Sequence, residues 1–135
     1  MRKLVTIAAT AAAVAFAFAG GSGATAQKAA VRATLKEFKV TPVPARVKPG
    51  VVIFSVNNAG ALDHEFVVLK TNLAPSKLPK KGSKAVEVGR VGKIGPVRRG
   101  QTTTLILNLK AGKYVLLCNV SGHYGAGQFA GFTVG

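Results

Sequence analysis

The chain holds one cysteine and two histidines. The cysteine and one histidine fall in a single short stretch, CNVSGHYGAGQ, at 118–128. Cys118, His123 and Gln128 follow one another at a regular spacing, C-x4-H-x4-Q. Gly122, Gly125 and Gly127 lie between them and let the backbone fold tightly. A thiolate sulfur and an imidazole nitrogen brought to one point suit copper, zinc or iron. One thiolate, two imidazoles and a weak axial donor suit a mononuclear copper that transfers electrons. That set needs a second imidazole, and His64 is the other histidine of the chain. The usual long axial ligand is methionine, but the sole methionine is Met1. Gln128 stands in the axial place, with its amide oxygen the expected donor. The candidate metal ligands are therefore His64, Cys118, His123 and Gln128, with one copper ion as the cofactor. No catalytic residue is assigned, and the chain is not expected to be an enzyme.

Each of these residues alone would mean little. A lone cysteine at a strand end is more often a small buried hydrophobe than a ligand. The joint pattern carries the reading, because the cysteine and both histidines enter one ligand set. Three other readings compete. A nucleophilic enzyme using Cys118 with His123 as base leaves His64 and Gln128 without a role. A copper carrier or storage protein is the nearest alternative, but exchangeable Cu(I) sites are commonly methionine-rich. A metal-free cationic module that binds polyanions is the third.

Four side chains can converge only if a rigid frame holds them. Residues 31–40, VRATLKEFKV, read as a strand whose alternation slips phase at Phe38, the mark of a bulge. Pro42, Pro44 and Pro49-Gly50 then enforce turns. VVIFSV at 51–56 is a β-branched strand broken by Asn57-Asn58-Ala59-Gly60, and HEFVVLK at 64–70 is the next. Residues 71–99 are irregular, with a short strand at 85–91. Strands follow at 101–109, 114–118 and 128–134. There is no sustained helical period, repeat or second domain. About seven short strands imply an all-β antiparallel sandwich. Such a sandwich can place the turn before His64 at the same end as the 118–128 loop. Tyr124 is expected to cover loop backbone, and Phe129 and Phe132 to pack in the core.

Arg2 and Lys3, an apolar run from Leu4 to Ala19 and the sequence Ala24-Thr25-Ala26 have the order of a secretory signal peptide. Cleavage is expected after Ala26, leaving a domain at 27–135 in the periplasm or outside the cell. The apolar run is short for a membrane span. Nineteen Lys and Arg oppose four acids, a net charge of +15, and losing Arg2 and Lys3 leaves about +13. That surface favours anionic partners: an acidic redox protein, with peripheral contact to an anionic membrane surface. Nucleic acid is not an expected partner, since no basic helix, zinc-finger spacing or aromatic RNA-binding strand is present. The basic run over 70–99 is either a solvated surface or a docking surface. The protein is expected to be a monomer.

The pairing of a histidine after an Asn-Asn-Ala-Gly turn with a late C-x4-H-x4-Q loop resembles the cupredoxins, the small blue copper proteins. Gly125-Ala126-Gly127 is similar to plastocyanins, the four-residue Cys-to-His gap to azurins, and Gln128 to stellacyanins. The resemblance spans 31–135. It implies a Greek-key sandwich of about seven to eight strands and one-electron transfer. It also implies nitrogen ligation by His64 and His123, sulfur ligation by Cys118 and axial ligation by Gln128. Glu65 departs from the pattern, because many relatives place there an asparagine that supports the cysteine loop.

Overall fold

A computed structural model describes residues 27–135. The expected signal peptide, residues 1–26, lies outside the described residues. The strands are β1 (Lys28–Lys36), β2 (Lys39–Val43), β3 (Arg46–Val47), β4 (Gly50–Asn58), β5 (His64–Lys70), β6 (Lys80–Lys81), β7 (Lys84–Ala85), β8 (Arg90–Val97), β9 (Thr102–Leu109), β10 (Gly112–Leu117) and β11 (Phe129–Val134). They form a four-stranded sheet, β2-β1-β4-β9, and a five-stranded sheet, β3-β11-β10-β5-β8, with β6 and β7 as a small separate hairpin. The two large sheets stack as a sandwich. A single turn of 3-10 helix, Pro75–Lys77, is the one helical piece among the described residues.

Alternation builds the core. Val52, Phe54 and Val56 of β4 are buried, as are Val31, Ala33 and Leu35 of β1. Phe54 meets Phe66 and Phe132 of the facing sheet at ring-centroid distances of 5.3 and 5.5 Å. Each such side chain contributes about 1.5–3 kcal/mol through burial. Strands β5 and β10 break the alternation, because Val67, Leu69, Val115 and Leu117 are buried on the outer face too. There they form a second apolar cluster with Leu78, Ala85, Tyr124 and Phe129. The 71–89 excursion thus covers the middle of the five-stranded sheet.

The expected sandwich is present, with three local differences. The stretch 31–40 is two strands joined by a tight turn at Glu37-Phe38, not one bulged strand. Leu35 and Val40 face each other across that hairpin. A two-residue turn shifts the parity of inward positions just as a bulge does. Next, the sheets are mixed: β1 runs parallel to β4, and β3 parallel to β11. Finally, β8 lies within the region read as irregular, and the short strand expected at 85–91 is instead largely a turn between β7 and β8. Its Gly92, Gly95 and Pro96 conceal a strand that sits at the sheet edge, where proline is tolerated. The register of β5 against β8 shifts twice along that pairing.

The topology gathers one end of the sandwich into a cluster of loops. The β1–β2 turn, the 59–63 loop before β5, the end of β8 and the 118–128 loop between β10 and β11 all lie there.

Candidate metal centre

His64 opens β5, and the loop before it is held from two sides. Asn58, fully buried, donates through Nδ2 to the carbonyls of Leu62 (2.7 Å) and Val97 (2.8 Å). Its Oδ1 accepts from the Gly60 N–H at 2.9 Å. From the β1–β2 turn, Glu37 Oε1 accepts from the N–H groups of Ala61 (2.9 Å) and Leu62 (2.8 Å) and faces His64 Nε2 at 2.9 Å. The Leu62 bond, then those of Ala61 and His64, outweigh the cost of burial and lower the Glu37 pKa from 4.5 to about 2. A Cβ at position 60 would displace the Glu37 carboxylate from these contacts.

Cys118, His123 and Gln128 ride on the loop whose ends are paired as neighbouring strands, Leu117 opposite Phe129. The Cys118 N–H donates to the Gln128 carbonyl at 3.0 Å and the Gln128 N–H to the His123 carbonyl at 3.1 Å, which coils the loop on itself. Gly122 and Gly127 adopt left-handed φ values of +83° and +107°, which glycine accepts without strain. Asn119 ties the loop to β7 by exchanging hydrogen bonds with the Ala85 backbone at 2.9 and 3.0 Å. Tyr124 belongs to the second apolar cluster. Its hydroxyl donates to the Pro75 carbonyl (2.7 Å) and accepts from the Leu78 N–H (3.0 Å).

The two arms meet. Cys118 Sγ lies 3.6 Å from His64 Nδ1 and 3.5 Å from His123 Nδ1, and the two Nδ1 atoms are 3.2 Å apart. His64 and Cys118 are fully buried, whereas His123 keeps 8% of its surface exposed. Burial raises the Cys118 pKa, and it lowers that of His123 with help from the neighbouring His64. Among the described residues this is the one cluster of three or more His, Cys, Asp or Glu side chains placed to hold a metal ion. Its three donor atoms lie within 4.8 Å of one another.

Gln128 is also fully buried. Its Nε2 donates to the Lys36 carbonyl at 3.1 Å, while its Oε1 has no hydrogen-bond partner among the described residues. A buried amide oxygen without a partner costs about 1–3 kcal/mol unless something else satisfies it. With one thiolate and two imidazoles alongside, the donor set suits a type 1 copper. The support missing from the Glu65 side chain comes from its backbone, whose N–H donates to Cys118 Sγ at 3.3 Å. The Glu65 carboxylate pairs with Lys93 at 3.5 Å instead.

Sequence reasoning missed Glu37 and Asn58. Glu37 had one signal, an acid at the phase slip of a chain with only four acids. Asn58 had none beyond its place in a turn.

The fold that carries this cluster is that of the cupredoxins. Reduced rusticyanin superposes with a TM-score of 0.61 at 20% identity, covering 80% of this chain and 79% of that one. Rusticyanin from Thiobacillus ferrooxidans gives 0.61 at 19% identity over 80% and 77%. Dithionite-reduced auracyanin from Roseiflexus castenholzii gives 0.57 at 15% identity over 80% and 96%. A rusticyanin variant with glutamine in place of a methionine matches similarly, at 0.60 and 16% over 80% and 78%. No family model matches the chain, nor does any curated protein.

Proposed function

We propose that the protein is a one-electron carrier built on a mononuclear type 1 copper site, with His64, Cys118 and His123 as the trigonal ligands and Gln128 as the axial one. The observation that carries this reading is the convergence of two imidazole nitrogens and one sulfur beside a buried, unpartnered amide oxygen. The likeness to rusticyanin, described as a copper protein, and to auracyanin, both known in reduced form, supports it. Copper, when bound, supplies a Cu(II)/Cu(I) couple. The chain supplies the rest. Two stacked sheets fix the ligand positions, so little rearrangement accompanies each electron. Burial of Cys118 and His64 excludes water. The exposed edge of His123 is the electron port, and Phe38 (42% exposed) and Leu62 (48% exposed) lie on loops at the same end. The basic surface steers an acidic redox partner, with association weakening as salt rises.

The sequence pattern at 1–26 supports export to the periplasm or beyond, with the protein acting there as a monomer and touching anionic membrane only peripherally. Loading the protein with copper and recording a visible spectrum tests the reading. An intense thiolate-to-copper band that bleaches reversibly on reduction, and is absent from Cys118→Ser, is expected. A colourless protein with no stoichiometric copper contradicts it. Rapid loss of copper to a chelator would favour the carrier or storage alternative.

A further inference from the structure

Three consecutive residues of the β1–β2 turn each touch a different candidate ligand. The Lys36 carbonyl accepts from Gln128 Nε2 at 3.1 Å. The Glu37 carboxylate faces His64 Nε2 at 2.9 Å. The Phe38 ring meets the His123 ring edge-on, with centroids 5.1 Å apart. Nothing in this turn donates a metal ligand, yet it contacts every ligand side chain except Cys118.

Glu37 is the charged member. A carboxylate only accepts hydrogen bonds, so His64 Nε2 must carry a proton, and the other nitrogen, Nδ1, is the one turned toward Cys118 and His123. The carboxylate is itself immobilised by the Ala61 and Leu62 N–H groups. No Lys or Arg side chain pairs with Glu37 among the described residues, although the chain has 19 of them. Its negative charge is therefore directed at the imidazole. A carboxylate on the far nitrogen of a ligating histidine fixes ring orientation and raises ligand basicity.

On the copper reading above, we propose that Glu37 is the positioning residue of His64 and a determinant of the reduction potential. It holds Nδ1 toward the metal and, through its charge, favours Cu(II) over Cu(I). Glu37→Gln separates the two roles. A glutamine oxygen in the Oε1 place keeps the acceptor for Ala61, Leu62 and His64, while the amide nitrogen in the Oε2 place loses the second Ala61 bond, so the ring keeps its partner while the charge is gone.

The test uses wild type, Glu37→Gln and Glu37→Ala. In the copper-loaded protein, Glu37→Gln is expected to keep the visible band and shift the equilibrium toward Cu(I) by about tenfold, a rise of about 59 mV for one electron. An unchanged potential overturns the electrostatic role. In the metal-free protein, nitrogen NMR of the imidazole is expected to find His64 protonated at Nε2 in wild type and Glu37→Gln, and a mixture of tautomers in Glu37→Ala. Wild-type His64 protonated only at Nδ1 overturns the positioning role. The tautomer measurement needs no metal, so it judges Glu37 even if the copper reading itself fails.

Discussion

His64 and the 118–128 loop reach the same point by different physical means. His64 stands at the start of a strand, and its surroundings are polar: the Asn58 amide, the Glu37 carboxylate and the N–H groups of Ala61 and Leu62. The loop carries three candidate ligands, and its anchor is largely apolar. Tyr124 sinks into a cluster with Leu78, Val115, Leu117 and Phe129 beneath the 71–89 excursion. Removing groups from the polar arm should change the electronic state of the site more than the stability of the fold. Removing them from the apolar arm should do the reverse. The arrangement orients one candidate ligand by directional bonds and lets non-directional packing hold the segment that carries the other three.

The largest effect should follow from breaking the apolar anchor. Tyr124→Ala empties a buried ring site and is expected to cost about 3–5 kcal/mol. Tyr124→Phe keeps the ring but strands the buried Leu78 N–H, which the hydroxyl now satisfies at 3.0 Å, at a cost of about 1–3 kcal/mol. Urea unfolding of the metal-free protein measures both. If Tyr124→Ala unfolds at the wild-type midpoint, packing does not hold the loop and the contrast between the arms fails.

Next in size is the residue that both arms share. Gln128 belongs to the loop by its backbone, but its side-chain amide is pinned to Lys36 on the turn. Gln128→Met removes that donor and replaces an oxygen with a softer thioether sulfur. The oxygen is the better donor to Cu(II), so the methionine variant is expected to favour Cu(I) by about tenfold or more, which is about 1.4 kcal/mol. Voltammetry of the two copper-loaded proteins decides it. An equal or lower potential in Gln128→Met would mean that Gln128 Oε1 is not a donor.

The loop arm was far more legible in the sequence than the strand arm. Cys118, His123 and Gln128 announce themselves by spacing within one segment, and His64 by being the only other histidine. Strand β4, β5 and β9 follow from β-branched and alternating runs close to their observed limits. Glu37 acts on a residue 27 positions away, and a contact of that kind leaves no periodic trace. Its turn was hidden because a two-residue hairpin and a bulge shift alternation alike. Strand β8 is hidden because its glycines and proline read as breakers, whereas at this sheet edge the proline is tolerated. The parallel pairings of β1 with β4 and β3 with β11 depend on which strands become neighbours, which inward alternation does not specify.

The smallest effect concerns the second acid committed to an arm. Glu87 reaches the loop through Asn119, accepting from its Nδ2 at 2.9 Å, and it also accepts from Arg90 (3.1 Å) and Lys93 (3.3 Å). Burial works to raise its pKa, but the Asn119, Arg90 and Lys93 contacts together outweigh it and hold the carboxyl below its ordinary 4.5. A carboxyl depressed in the folded state adds stability that is present above the unfolded value and disappears as pH falls through the folded one. Wild type should therefore lose melting temperature as pH drops below about 5, and Glu87→Gln should lose less over the same range. Glu37 stays in both proteins, and with its pKa at about 2 it adds the same slope to each. The difference between the two profiles isolates Glu87. Arg90 is half exposed, so its share of that difference is small, and the rest reflects the Asn119 bond, the largest favourable contact, together with Lys93. Parallel profiles would mean that the Glu87 charge adds nothing to the packing and neutral hydrogen bonds that hold the loop arm.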